Sequence, residues 1–77
     1  MTLTEGQIEI MKEDISTKLI CLLMQNWHFS QQEAMDILYN SDTFNRLQDE
    51  QTGLFYQSAG YVYSYLQQEL TTGDYRR

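Results

Sequence analysis

At 77 residues the chain has room for one small domain, and a chain of that size buries only about 60% of the surface its unfolded form exposes. A hydrophobic fraction of 42%, with six Tyr, three Phe and one Trp, excludes disorder as a description of the whole chain. Eleven acidic against five basic residues give a formal charge of -6, which repels phosphate backbones and anionic membrane surfaces and points to a basic protein partner.

A single Cys and no cluster of metal ligands leave association as the remaining aid to so small a core, so self-association into a homo-oligomer is expected. The opening Met1-Thr2-Leu3-Thr4-Glu5 lacks the basic and apolar pattern of a signal peptide. The longest apolar run, Leu19 to Met24, is far short of the ~20 residues that span a bilayer. The expectation is a cytoplasmic protein without a membrane role.

Thr4 followed by Gln7 forms a capping-box pattern, so a first helix is expected over about 5–25. Ile8, Met11, Ile15, Leu19, Leu22 and Leu23 recur at three- and four-residue steps and form one apolar stripe. Ile20, Cys21 and Met24 fall on the opposite side, so this half of the helix is to be covered by other helices or by a second chain. Trp27-His28-Phe29 interrupts the pattern. Ser30 and Glu33 then form a second capping box, with Phe29 and Ala34 placed as a hydrophobic staple, and open a helix over 31–39 that turns Ala34, Met35, Leu38 and Tyr39 inward. Asn40 is expected to end it in the left-handed conformation.

Ser41 or Asp42 caps a short helical segment near 42–48 that holds Phe44 and Leu47. Asp49 to Gly53 reads as a turn in which Gly53 supplies a positive φ. Leu54-Phe55-Tyr56-Gln57 has high β-propensity but no second run to pair with, and reads as an extended connector. From Ser58 a last helix over 59–72 carries Tyr61, Val62, Tyr65, Leu66, Glu69 and Leu70 at helical spacing, with Gly73 as its stop and Tyr75-Arg76-Arg77 fraying beyond it. The fold class is all-α, three main helices and one short segment in a single domain, packed around Ile15, Leu19, Leu22, Leu38, Phe44, Leu47, Val62 and Leu66.

Residues that could carry chemistry lack partners at the required spacing. His28 has no carboxylate, thiol or second imidazole placed for metal binding or acid–base work, and reads as part of an interhelical turn anchored by Trp27 and Phe29. Cys21, flanked by Ile20, Leu22 and Leu23, reads as a small, inert core residue rather than a nucleophile. Glu9, Glu13, Asp14, Glu33 and Asp36 read as solvated helix faces, without the Glu-x-x-His spacing of a carboxylate-bridged metal site. No catalytic residue, metal or cofactor is assigned, and a non-enzymatic protein is expected.

The segment Phe29 to Leu47 has the outline of a helix–turn–helix, but its second helix offers only Arg46 to phosphates beside Asp42, Asp49 and Glu50. Direct nucleic-acid binding is not expected; a regulator of that kind, or an acidic mimic of nucleic acid, is the alternative reading. The aromatic group Phe55, Tyr56, Tyr61, Tyr63 and Tyr65 exceeds what one helical face can bury. These rings either finish the core with their hydroxyls in water or form an interface. The candidate contact residues are Ile20, Met24 and Trp27 on the first helix and Tyr56, Tyr61, Tyr63 and Tyr65 near the last.

Phe29-Ser30-Gln31-Gln32-Glu33-Ala34-Met35-Asp36-Ile37-Leu38-Tyr39-Asn40-Ser41, followed by Thr43-Phe44, Leu47, Thr52 to Ser58 and Tyr61-Val62-Tyr63, resembles a pattern in short uncharacterised bacterial helical proteins. The resemblance spans about residues 15–70, and that group is similar to small helical domains of unknown function, some encoded beside toxin-like ADP-ribosyltransferases. It has no catalytic motif to carry over. The resemblance implies a bacterial cytoplasmic protein with an accessory or antitoxin-like binding role, its partner a basic, toxin-like protein.

Overall fold

The computed structural model describes residues 4–72, which form four α-helices and no strand: α1 (Glu5–Trp27), α2 (Gln31–Tyr39), α3 (Asp42–Gln48) and α4 (Ala59–Thr72). Each start follows from its cap. The Thr4 and Ser30 hydroxyls accept from the N–H groups of Gln7 and Glu33, whose side chains accept in return from the Thr4 and Ser30 N–H groups, so both capping boxes close. Ser41 caps α3 through the Phe44 N–H, and Ser58 caps α4 through the Tyr61 N–H. The Ser41 hydroxyl also donates to the Leu38 carbonyl at 2.6 Å, so one fully buried hydroxyl ends α2 and begins α3.

The core runs between the inner face of α1 and the other helices. Leu19, Leu23, Ala34, Leu38, Leu47, Val62 and Leu66 are all fully enclosed, and Ile15 and Leu70 nearly so. Leu22 and Phe44, both expected in the core, are only half-buried. The line of α1 that faces inward passes through Ile15, Leu19 and Leu23, at ~100° per residue, which puts Leu22 at its edge.

Between α3 and α4 the chain makes two short 3-10 turns, Glu50–Thr52 and Leu54–Tyr56, joined at Gly53 with φ 70 as expected. Of the run Leu54 to Gln57 only Gln57 is extended, so Leu54 to Tyr56 is not the extended connector that its propensity suggests. Coiling it as a 3-10 turn puts the successive side chains of Leu54 and Phe55 both into the core, which a strand's alternation would not allow. Nor is Asn40 left-handed: its φ is -99, and its side-chain amide and backbone N–H both donate to the Asp36 carbonyl. Among the described residues other than glycine, the left-handed one is His28, φ 60, which ends α1. The expected stop at Gly73 and the end at Tyr75–Arg77 lie outside the described residues.

Candidate interaction surfaces

Among the described residues two charged side chains lie inside the fold, and both serve α3. Glu69 of α4 is 9% exposed, and its carboxylate accepts from the Asp42 N–H at 2.8 Å, the Thr43 N–H at 3.0 Å and the Thr43 hydroxyl at 2.8 Å. It thus occupies the N-terminus of α3, where free N–H groups and the helix dipole favour a negative charge. At the other end Lys12 of α1, 4% exposed, donates through Nζ to the terminal Gln48 carbonyl at 3.0 Å. Nζ also lies 3.5 Å from Glu50 and 3.6 Å from Glu9. Each end of α3 therefore meets a charge of the sign that its dipole favours. The bonds of both residues go to the ends of α3 and, for Lys12, also to Glu50 and Glu9.

The sequence-derived contact residues separate into three groups. Tyr63 is not a surface residue: it is buried at 8% exposure, and its hydroxyl accepts from Trp27 Nε1 at 3.0 Å and Asn26 Nδ2 at 3.3 Å, tying the end of α1 to α4. Its place three positions before Leu66 and seven before Leu70 brings it onto the core side, and its hydroxyl finds donors there. Trp27 is engaged by that bond and by stacking on Phe29 at 5.9 Å. Tyr61 and Tyr65 are exposed on α4, their rings edge-on at 5.3 Å and their hydroxyls 3.0 Å apart; this shared hydrogen bond pushes the Tyr61 phenol above its ordinary range. Tyr65 borders a shallow cleft with Arg46 of α3. Tyr56 is 62% exposed and lies against Phe55 in the second 3-10 turn.

Met24, 38% exposed, belongs to a line on α1 that the candidate residues only partly named. Ile10, Thr17, Cys21 and Met24 fall within about 60° of arc at ~100° per residue, diametrically across from Leu19. Ile10 is 67% exposed and Cys21 is exposed as well, so the core position expected for Cys21 is corrected. Cys21 is two residues from Leu19 and two from Leu23, and that spacing turns it away from the side they bury. Beside this line Ile20 is half-buried and opens onto a groove shared with α2 and α3, with Tyr39 and Phe44 edge-on at 5.0 Å on the far wall.

Among the described residues no group of three or more His, Cys, Asp or Glu converges as a metal ion would require, and His28 is exposed at the end of α1. No described helix is long and apolar enough to cross a membrane. The N-terminus of α3, the second helix of the helix–turn–helix outline that the sequence suggests, is filled by the Glu69 carboxylate. No family model, curated protein or solved structure matches the chain.

Proposed function

We propose that this chain is a non-enzymatic protein-interaction module that self-associates through the outer side of α1. The observation that carries this reading is the uncovered line of Ile10, Cys21 and Met24, directly across the helix from the core. Between Ile10 and Met24 three of the four positions on that line are apolar, Thr17 being the fourth, and the other described helices pack elsewhere. Isolated surface apolar residues are ordinary, but a line of them on a helix of 23 residues matches what helix pairing buries. A second copy is the natural cover, because a two-fold axis across α1 sets the same line against itself. An accessory or antitoxin-like role for the assembled module accords with the resemblance to short bacterial helical proteins.

Cys21 lies in this line and reports on it directly. Sedimentation velocity of the reduced protein across 1–100 µM, on the scale of transient interfaces, should show a concentration-dependent dimer. Mild oxidation should then link the dimer through Cys21 in high yield. A monomer across the whole range, with no covalent dimer on oxidation, would refute self-association.

A further inference from the structure

We infer that the groove between α1, α2 and α3 receives a basic amphipathic helix from a different protein. The groove has a volume of about 410 Å³. At one end its lining is apolar: Ile20 of α1, Tyr39 of α2 and Phe44 of α3, with Tyr39 left 47% exposed although its ring already packs against Phe44. At the other end Glu9 and Glu13 of α1 stand in solvent one helical turn apart. Lys12 lies between them, but it does not offer a positive charge to a ligand. It is buried, and its Nζ is taken by Gln48, Glu50 and Glu9.

An apolar floor continued by an acidic rim along one helix defines its complement. The occupant carries two large apolar side chains one turn apart for the Ile20–Tyr39–Phe44 floor, as in other helix-in-groove docking. About two turns away, the rise from Glu13 to Ile20 at 1.5 Å per residue, it carries Lys or Arg at one-turn spacing to face Glu9 and Glu13. The described residues of a second copy do not supply such a helix. Among the described residues Lys12 and Lys18 are six positions apart, α3 has only Arg46, and α2 and α4 have no basic residue. Among the described residues, charge complementarity therefore selects a foreign, basic partner for the groove, while Ile10, Cys21 and Met24, which do not line it, stay available to a second copy.

The test is an NMR titration of the ¹⁵N-labelled chain with a synthetic helical peptide carrying paired Lys and paired Leu at these spacings. The control is a peptide of the same composition in scrambled order. The proposal expects shifts concentrated on residues around Glu13, Ile20, Tyr39 and Phe44, and at least tenfold weaker binding of the scrambled peptide. Glu13→Lys and Tyr39→Ala, both at exposed positions, should each weaken the ordered peptide severalfold while leaving the amide spectrum folded. Equal binding of both peptides would show charge attraction without a site and overturn the proposal. So would shifts confined to Ile10, Cys21 and Met24, or binding unchanged by both substitutions. Dimerisation through α1 is read separately by sedimentation, so either proposal can fail alone.

Discussion

Helix α3 and the outer side of α1 are held to the molecule by opposite means. Seven residues are too few for a helix to persist alone, since isolated helices shorter than ~12–15 residues are marginal in water. What fixes α3 is polar: the Glu69 carboxylate on its first N–H groups, the Lys12 ammonium on its last carbonyl and the Ser41 hydroxyl in its first turn. The outer side of α1 belongs to a helix of 23 residues that is already secured by its inner face, and there the chain leaves Ile10, Cys21 and Met24 in water. The difference teaches where to look for function in this molecule. Its two described buried charges bond the ends of α3, and its uncovered apolar residues on α1 are where the contact is proposed.

The largest expected effect comes from breaking the clamp at its acidic end. Glu69→Gln keeps the shape but replaces one accepting oxygen with a donor facing N–H groups, and should cost about 2–3 kcal/mol in urea unfolding. Hydrogen exchange at Asp42 and Thr43 should rise before that of the core. Lys12→Met fills the same space and leaves the Gln48 carbonyl without its donor, for a loss of about 1–2 kcal/mol in the same experiment. If both variants unfold like the parent, α3 is not held by charge and the contrast with α1 disappears.

Ser30→Ala should cost about 1 kcal/mol by removing one half of the capping box of α2. The same box gives an acid-dependent signature. The Ser30 backbone N–H, and then its hydroxyl, hold the exposed Glu33 carboxyl below its usual range. A carboxyl whose folded value is depressed contributes stability that is present above its unfolded value and is lost as pH falls through the folded one. Thermal melts between pH 5 and pH 3, spanning the usual Glu value of ~4.3, should therefore show a decline that is smaller in Ser30→Ala than in the parent. The smallest expected change is a gain. His28 sits at φ 60, where a side chain is strained, so His28→Gly should raise stability by about 0.5–1 kcal/mol in urea unfolding.

The helices were readable because their starts are chemical. Thr4–Gln7 and Ser30–Glu33 are reciprocal caps, and both close as their spacing requires. The two clamp residues were also visible, though easy to pass over: Lys12 lies four residues after Ile8 and three before Ile15, and Glu69 lies three after Leu66. A charge seated within an apolar stripe is the mark of a buried, partnered group, but only the fold can name its partner 26 or more positions away. Leu54 and Phe55 were misread because β-propensity describes a fit to a pleated sheet, and this molecule has no strand in its described residues to pair with. The groove floor could not be read at all, since Ile20, Tyr39 and Phe44 come from three helices whose crossing is set by packing rather than by local pattern.

The most direct test of the account introduces charge where it assigns a contact surface and no role in the fold. Ile10→Glu combined with Met24→Glu should be studied by sedimentation velocity together with thermal melting at a dilution where the parent is monomeric. The account predicts a variant that stays monomeric at concentrations where the parent dimerises, with an unchanged melting temperature at dilution. A variant that sediments like the parent, or that melts well below it, would place the outer side of α1 outside any self-contact or within the fold itself, and would contradict the account.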